Sequence, residues 1–312
     1  MSFRPKAALK RSLVKLFHLG QRAGFDILPR HFYSEIPNIP KLRATQHWRR
    51  PYTMAGVAGM DPESQLAFVR EAVTPAVQQY LEQHDVRAEA SRENGAVGYG
   101  PVEARLLFAF VATHRPQRIV QIGCGVSTAI CIAAGKSAGY RPKITCIEPY
   151  PTDFLKAAAQ RGDIELIARP VESIGLEFFQ HLEQGDLFFV DSTHTLGPAG
   201  EVTRIIVEML PRLAKGVFVH FHDIFFPYDY SPRILSDSVF FWHESPLLHA
   251  FLSMNPSYRV WASMSSLHHC RQRELATIFP QYNPTPMTDG LGGEGDFPSS
   301  IYLQRIGSPS AA

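Results

Sequence analysis

Two short strings carry the most reactive side chains of the sequence. Asp191-Ser192-Thr193-His194 begins as the apolar run Asp186–Val190 ends, and His222-Asp223 closes the run Gly216–His222. If the two runs are neighbouring strands, their ends bring two carboxylates and two imidazoles together. Three roles fit. His222 or His194 could act as a general base, with Asp191 or Asp223 fixing its tautomer. Asp191, His222 and Asp223 could hold a divalent cation that lowers the pKa of a bound hydroxyl. Alternatively, Asp191 could cap a turn while the histidines make buried hydrogen bonds. His220 alternates with Val219 and Phe221 within the same run and is expected in the core. His268, His269 and Cys270 have no recognised ligand spacing and are expected in a solvated loop.

A second constellation suits a nucleotide. The run Arg118–Ile122 leads into Gly123-Cys124-Gly125-Val126-Ser127-Thr128 and then a helical pattern. A glycine-rich strand-to-helix turn lets backbone approach a ligand and aims a helix N-terminus at it. Glu148 ends the next strand, 23 residues after Gly125, where a carboxylate can accept hydrogen bonds from ribose hydroxyls. The dinucleotide pattern would need glycine at Thr128, and the phosphate-loop pattern is absent. Cys124 is read as a residue small enough for the space between the glycines.

The elements that must position these groups alternate. Strands are expected at Arg118–Ile122, Lys143–Ile147, Ile164–Ala168, Asp186–Val190 and Gly216–His222. Helices are expected at Ser127–Ser137, Pro151–Gln160, Ile174–Gln184 and Gly200–Leu210. Such alternation builds a mostly parallel sheet covered on both faces, with ligands beyond the carboxyl ends of its strands. Helix Pro246–Met254, strand Tyr258–Ala262, a Pro/Gly-rich loop Pro280–Pro298 and strand Ser300–Arg305 follow. Upstream, helices are expected at 6–19, Pro62–Gln83 and Pro101–Thr113, the last preceded by a turn at Asn94–Gly100.

Composition excludes whole classes. The 312 residues are 45% hydrophobic and 19% charged, which permits a large core and rules out global disorder. No apolar run approaches the ~18–20 residues needed to span a bilayer. The N-terminal apolar stretch is interrupted by Lys15 and His18, so no secretory signal is expected. Four cysteines without CxxC spacing read as reduced thiols of a cytoplasmic protein. Charge is divided: residues 1–50 carry 11 Lys and Arg against Asp26 and Glu35, and the remainder carries 20 against 27 acids. A basic arm thus precedes an acidic body, and could touch that body, nucleic acid or an anionic membrane surface.

The string Gln121-Ile122-Gly123-Cys124-Gly125-Val126-Ser127 resembles the first motif of the class I S-adenosylmethionine-dependent methyltransferases, acid-x-Gly-x-Gly-x-Gly. Gln121 stands for the acid and Ser127 for the last glycine. The strings CIEPYP, GDLFFVDSTH, LPRLAKGVFVHFHDIFFPYDY and SSIYLQRI are similar to one bacterial branch of that superfamily, and LPRHFYSEIP extends the likeness upstream. The resemblance spans about 95–306. It implies an α/β, Rossmann-like, seven-stranded and mostly parallel sheet with an antiparallel last strand, preceded by a helical N-terminal extension. It implies S-adenosylmethionine bound by Gly123, Gly125, Ser127 and Glu148, with the loop Arg169–Glu172, including Val171, flanking adenine. Glu103 would supply the carboxylate that Gln121 lacks. Metal-dependent small-molecule O-methyltransferases resemble this chain in placing acids at the same strand ends. His222 in place of an acid then favours Mn²⁺, Zn²⁺ or Fe²⁺ over Mg²⁺.

The implied reaction is methyl transfer to an oxygen of a small molecule. Acceptor walls are expected from Phe225, Phe226, Tyr228, Tyr230, Trp242, His243 and Glu244, with packing the favoured role for Phe225 and Phe226. Loop Pro280–Pro298 is a lid or a linker. Nucleic acid is disfavoured as a substrate, because the body is acidic and DSTH occupies the place of an amino-methylation motif. Two alternatives remain: a non-haem iron oxygenase using His222, His194 and a carboxylate, and a non-catalytic cofactor-binding or partner module. The expected domains are 1–94, 95–306 and a flexible tail 307–312.

Overall fold

A computed structural model describes residues 4–28, 30, 32–34, 36–45, 47–231, 240–285 and 295–307. Most of the tail and part of the Pro/Gly-rich loop, 286–294, lie outside the described residues, so the lid and tail expectations fall there. The chain forms two compact units, residues 1–45 and 46–312.

The first unit contains helix α1 (Arg4–Arg22) and the short α2 (Ile39–Ala44). Asn38 caps α2 by accepting from the Lys41 amide.

The second unit is built on a seven-stranded sheet. Its strands are β1 (Arg118–Ile122), β2 (Lys143–Ile147), β3 (Glu165–Ile167), β4 (Leu187–Val190), β5 (Phe218–Phe221), β6 (Tyr258–Ser263) and β7 (Ile301–Arg305). The order is β3-β2-β1-β4-β5-β7-β6. β7 runs antiparallel to both its neighbours, while the pairings from β3 through β5 are parallel. The order reverses between β1 and β4, the switch point where open α/β sheets bind ligands. Successive residues point to opposite faces, so Ile119 and Phe189 enter one apolar cluster while Val120 and Val190 enter the other. The strands β1, β2, β4 and β5 are buried on both sides over most of their length, which accounts for their apolar runs.

Helices α6 (Pro101–His114), α7 (Val126–Ser137) and α8 (Asp153–Gln160) match their expected positions to within two residues. Expected helix 62–83 is two helices, α3 (Pro62–Ala72) and α4 (Pro75–Gln83). Pro75 disfavours a helical Thr74, which is extended and caps α4 through the Val77 amide. With α5 (Val86–Asn94), these helices supply Leu66, Val69, Leu81 and Ala90 to the core. The contacts divide the chain at 45.

Expected helix 174–184 is only two 3₁₀ turns, Val171–Ser173 and Leu176–His181, because Gly175 between them is extended. Expected helix 200–210 starts as α9 (Glu201–Arg204), widens to a π turn at Ile205–Met209 and closes as 3₁₀ at Leu210–Arg212. Pro211 cannot donate to an α-helical carbonyl. After α10 (Glu244–Leu252), His268, His269 and Cys270, expected in a solvated loop, end α11 (Met264–Cys270), and α12 (Gln272–Ile278) follows.

Candidate active site

The cofactor side is made mainly of backbone. β1 ends beside β2 and β4: the Gly123 amide donates to the Ile147 carbonyl at 3.3 Å and the Asp191 amide to the Ile122 carbonyl at 2.8 Å. This close approach requires glycine. Gly123 has φ +75°, and a Cβ there would lie 1.9 Å from the Asp191 carbonyl oxygen. Gly125 has φ +153°, and its Cβ would press on the Asn94 side chain at 3.0 Å. Glu148 spans the turn, accepting from the Cys124 amide at 3.2 Å and the Tyr150 amide at 2.9 Å.

Gln121 shows what the missing motif acid has become. It is fully buried; its amide donates to Ser127 Oγ at 3.3 Å and its carbonyl accepts from Thr128 Oγ1 at 2.8 Å. Gln121 thus braces the loop from inside. Burial pushes the Cys124 thiol well up, consistent with a residue that fits and does not react.

Gly123, Cys124, Gly125, Ser127, Glu148 and Asp191 line one cleft, closed on the other side by Asn94 and Tyr99 from the turn after α5. Two expected cofactor residues are not among its lining. Val171 is buried and packs in the apolar cluster with Ile147 and Ile174. Glu103 is buried, with Oε1 accepting from the Ser299 amide at 2.8 Å. It braces the segment leading to β7 and does not replace the acid at 121.

The other side is made of charged side chains. His222 follows β5, with its amide bonded to the Val190 carbonyl at 2.9 Å, so the β5 end lies beside the β4 end. His194 Nε2 lies 3.4 Å from Asp191 Oδ1 and 3.8 Å from Asp223 Oδ2. His222 Nδ1 lies 3.5 Å from oxygens of both Asp191 and Asp223. The sequence-predicted Asp191, His194, His222 and Asp223 therefore converge. His194 (φ +61°) and Asp223 (φ +55°) both adopt left-handed backbone, a strain of about 1–3 kcal/mol each that surrounding contacts must hold.

Three partners of this cluster were not legible as such. Glu244, expected on an acceptor wall, is 1% exposed and accepts from His194 Nδ1 at 2.7 Å and from Ser192 Oγ at 3.0 Å. Ser299 Oγ donates to Asp223 Oδ1 at 2.8 Å. Tyr99 stacks on His222 with ring centroids 4.6 Å apart, and its hydroxyl meets His220 Nε2 at 3.1 Å. His220 is a core histidine, fully buried and stacked on Phe189 at 4.5 Å. His268, expected in solvent, is also fully buried and meets the Tyr282 hydroxyl at 2.5 Å.

Electrostatics fix the protonation states. Burial alone would lower both histidines. Asp191 and Glu244 outweigh it at His194, which is raised to about 10, and Asp223 and Asp191 outweigh it at His222, which is held well above its ordinary value. Burial would raise Asp191, but His222 and His194 hold it well below the usual carboxylate range, and Asp223 is lowered the same way. The shifts favour the imidazolium form at both histidines. An imidazolium cannot accept a proton, so these shifts oppose the expected general-base role for His222 or His194. Among the described residues, no three His, Cys, Asp or Glu side chains form a group that could hold a metal ion. The Asp191, His222 and Asp223 set expected for one is arranged as ion pairs, and the iron-oxygenase alternative meets the same difficulty.

A family model described as a methyltransferase domain matches residues 120–224, from β1 through the end of β5. An uncharacterized protein of Archaeoglobus fulgidus is 35% identical over 170 residues, covering 50% of this chain and 73% of that protein. Two solved structures are more distant. The S-adenosylhomocysteine-bound Podospora anserina methyltransferase PaMTH1 is 15% identical, with TM-score 0.35, over 75% of this chain and 89% of that one. Cofactor-bound Rv0187 from MTB is 13% identical, with TM-score 0.44, over 73% and 95%. Residues 120–224 thus belong to a methyltransferase domain. The Gly123–Ser127 turn and the Glu148 carboxylate, which line the cleft, lie within the matched residues.

Proposed function

We infer that the protein methylates an oxygen of a small-molecule acceptor held beside Asp191, His194 and His222. One observation carries this reading: Asp191 lines the cofactor cleft and is also a member of the carboxylate–imidazole cluster. An acceptor resting on the cluster therefore lies at the edge of the cofactor.

The bound cofactor supplies a methyl group already activated on a sulfonium. The protein must align the acceptor and manage its proton. A hydroxyl is a weak nucleophile until it ionises, and neighbouring positive charge favours the ionised form. His194 and His222 supply that charge, and the proton of the ionising hydroxyl leaves to solvent. His222 Nε2 is buried with no hydrogen-bond partner among the described residues. An aromatic shelf adjoins the cluster. The Trp242 ring lies 4.7 Å from His194, and Phe225 and Phe240 lie parallel to it at 6.1 and 5.8 Å. Such a shelf suits a flat apolar acceptor body.

The test is calorimetric titration of S-adenosylhomocysteine, with and without chelator, followed by turnover on matched phenol and aniline acceptors. Micromolar binding that ignores chelator, with turnover on phenols, is expected. Preference for the anilines would overturn the oxygen assignment. Turnover lost under chelator would make a bound cation, not the imidazolium ions, the source of the positive charge.

A further inference from the structure

We propose that the N-terminal unit, residues 1–45, is a peripheral anchor for an anionic lipid surface. Helix α1 contains no acidic residue. Helical spacing places Leu13, Leu16 and Phe17 on one side and Lys15, His18 and Arg22 on the other. The apolar residues do not end with the helix. Leu16, Leu28 and Ile36 are exposed, Leu19 is 63% exposed, Phe25 67% and Phe32 93%. Large apolar side chains left this open over so short a stretch mark a surface that meets an apolar phase. The unit also carries nine Lys and Arg against two acids.

The two features together select the occupant. Basic charge alone would serve nucleic acid or an acidic protein face, but neither accounts for the exposed leucines and phenylalanines. An anionic bilayer answers both: hydrocarbon takes the apolar side chains and headgroups take the lysines and arginines. Among the described residues no helix is long and apolar enough to cross a membrane, so the attachment is to the surface and reversible.

The experiment is co-sedimentation of the full chain with vesicles of neutral phosphatidylcholine, or with about one third phosphatidylglycerol added. Binding to the anionic vesicles is expected, about tenfold weaker to neutral ones and weaker again at high salt. Leu16→Glu/Phe32→Glu should lose binding while keeping the S-adenosylhomocysteine heat, since neither residue lines the cleft. Lys10→Ala/Lys15→Ala/Arg22→Ala, which leaves the apolar residues intact, should retain only binding of the neutral-vesicle strength. No binding to either vesicle at low salt overturns the proposal. It is also overturned if Leu16→Glu/Phe32→Glu binds like the parent, or if duplex RNA binds more tightly than anionic vesicles.

Discussion

The two halves of the site lie side by side on one sheet edge and are built in opposite ways. At the ends of β1 and β2 the cofactor cleft is mostly backbone, with Gly123 and Gly125 shaping it and Glu148 bridging the turn. At the ends of β4 and β5 the surface is side-chain charge, with Asp191, His194, His222 and Asp223 each within 4 Å of an oppositely charged neighbour. The first half depends on shape and tolerates no added atom. The second depends on protonation and tolerates isosteric change at a cost in rate. Shape defects should therefore abolish binding, while charge defects should spare binding and lower turnover.

The sharpest break is Gly123→Ala. Its Cβ would meet the Asp191 carbonyl oxygen at 1.9 Å in a backbone conformation alanine avoids. One methyl would thus push the β1 and β4 ends apart. We expect no detectable S-adenosylhomocysteine heat and a melting temperature lower by several degrees, following a loss of about 3 kcal/mol or more. Binding within threefold of the parent would show that the loop is not shape-limited.

Asp191→Asn tests the other half at the residue both halves share. It keeps the volume and removes the charge that pairs with both histidines. Turnover should fall by about 10²–10³, with cofactor affinity changed far less. If affinity collapsed and kcat of the residual complex were unchanged, Asp191 would belong to the backbone-built half alone.

Legibility in the sequence follows the same division. The glycine turn and the Glu148 carboxylate are local signals, a strand followed by fixed spacing, and the expected strands match the seven observed. Asp191, His194, His222 and Asp223 were legible because each lies at or just beyond a strand end, where topology collects them. Glu244 was not assigned to His194 because 50 residues separate them and only the fold brings their atoms to 2.7 Å. Tyr99 and Ser299 were hidden for the same reason. Glu103 was assigned to the cofactor by resemblance, but α6 carries it into the interior to hold the Ser299 amide. The 3₁₀ segment Leu176–His181 was read as part of a helix over 174–184 because apolar spacing outweighed a single Gly175.

Glu244→Gln is a milder change, one residue removed from the chemistry. Glu244 touches His194 and Ser192 and does not line the cleft. It is a positioning residue. We expect kcat to fall about tenfold, with cofactor affinity unchanged. The alkaline limb of the pH–rate profile should move to lower pH, because His194 loses one of the three carboxylates that raise it. A rate loss without that movement would reduce Glu244 to packing.

The smallest effect is on stability, and its sign follows from the shifts. His194 is raised from 6.5 to about 10 in the folded protein. Its stabilisation is complete below the unfolded value and is lost as pH rises through about 10. Asp191 is lowered, so its contribution is present above 3.8 and is lost as pH falls through its folded value. The cluster thus stabilises most between these limits, near pH 4–6.5. From pH 7 to 10 the native state holds a proton at His194 that the unfolded chain has released, so stability should decline by at most about 1.4 kcal/mol per pH unit for that single proton. Melting temperatures over that range measure the decline, and His194→Gln should reduce it, leaving the part that His222 contributes. A decline of equal slope in the variant would remove His194 as its source, and the contrast between a shape-built and a charge-built half would lose that support.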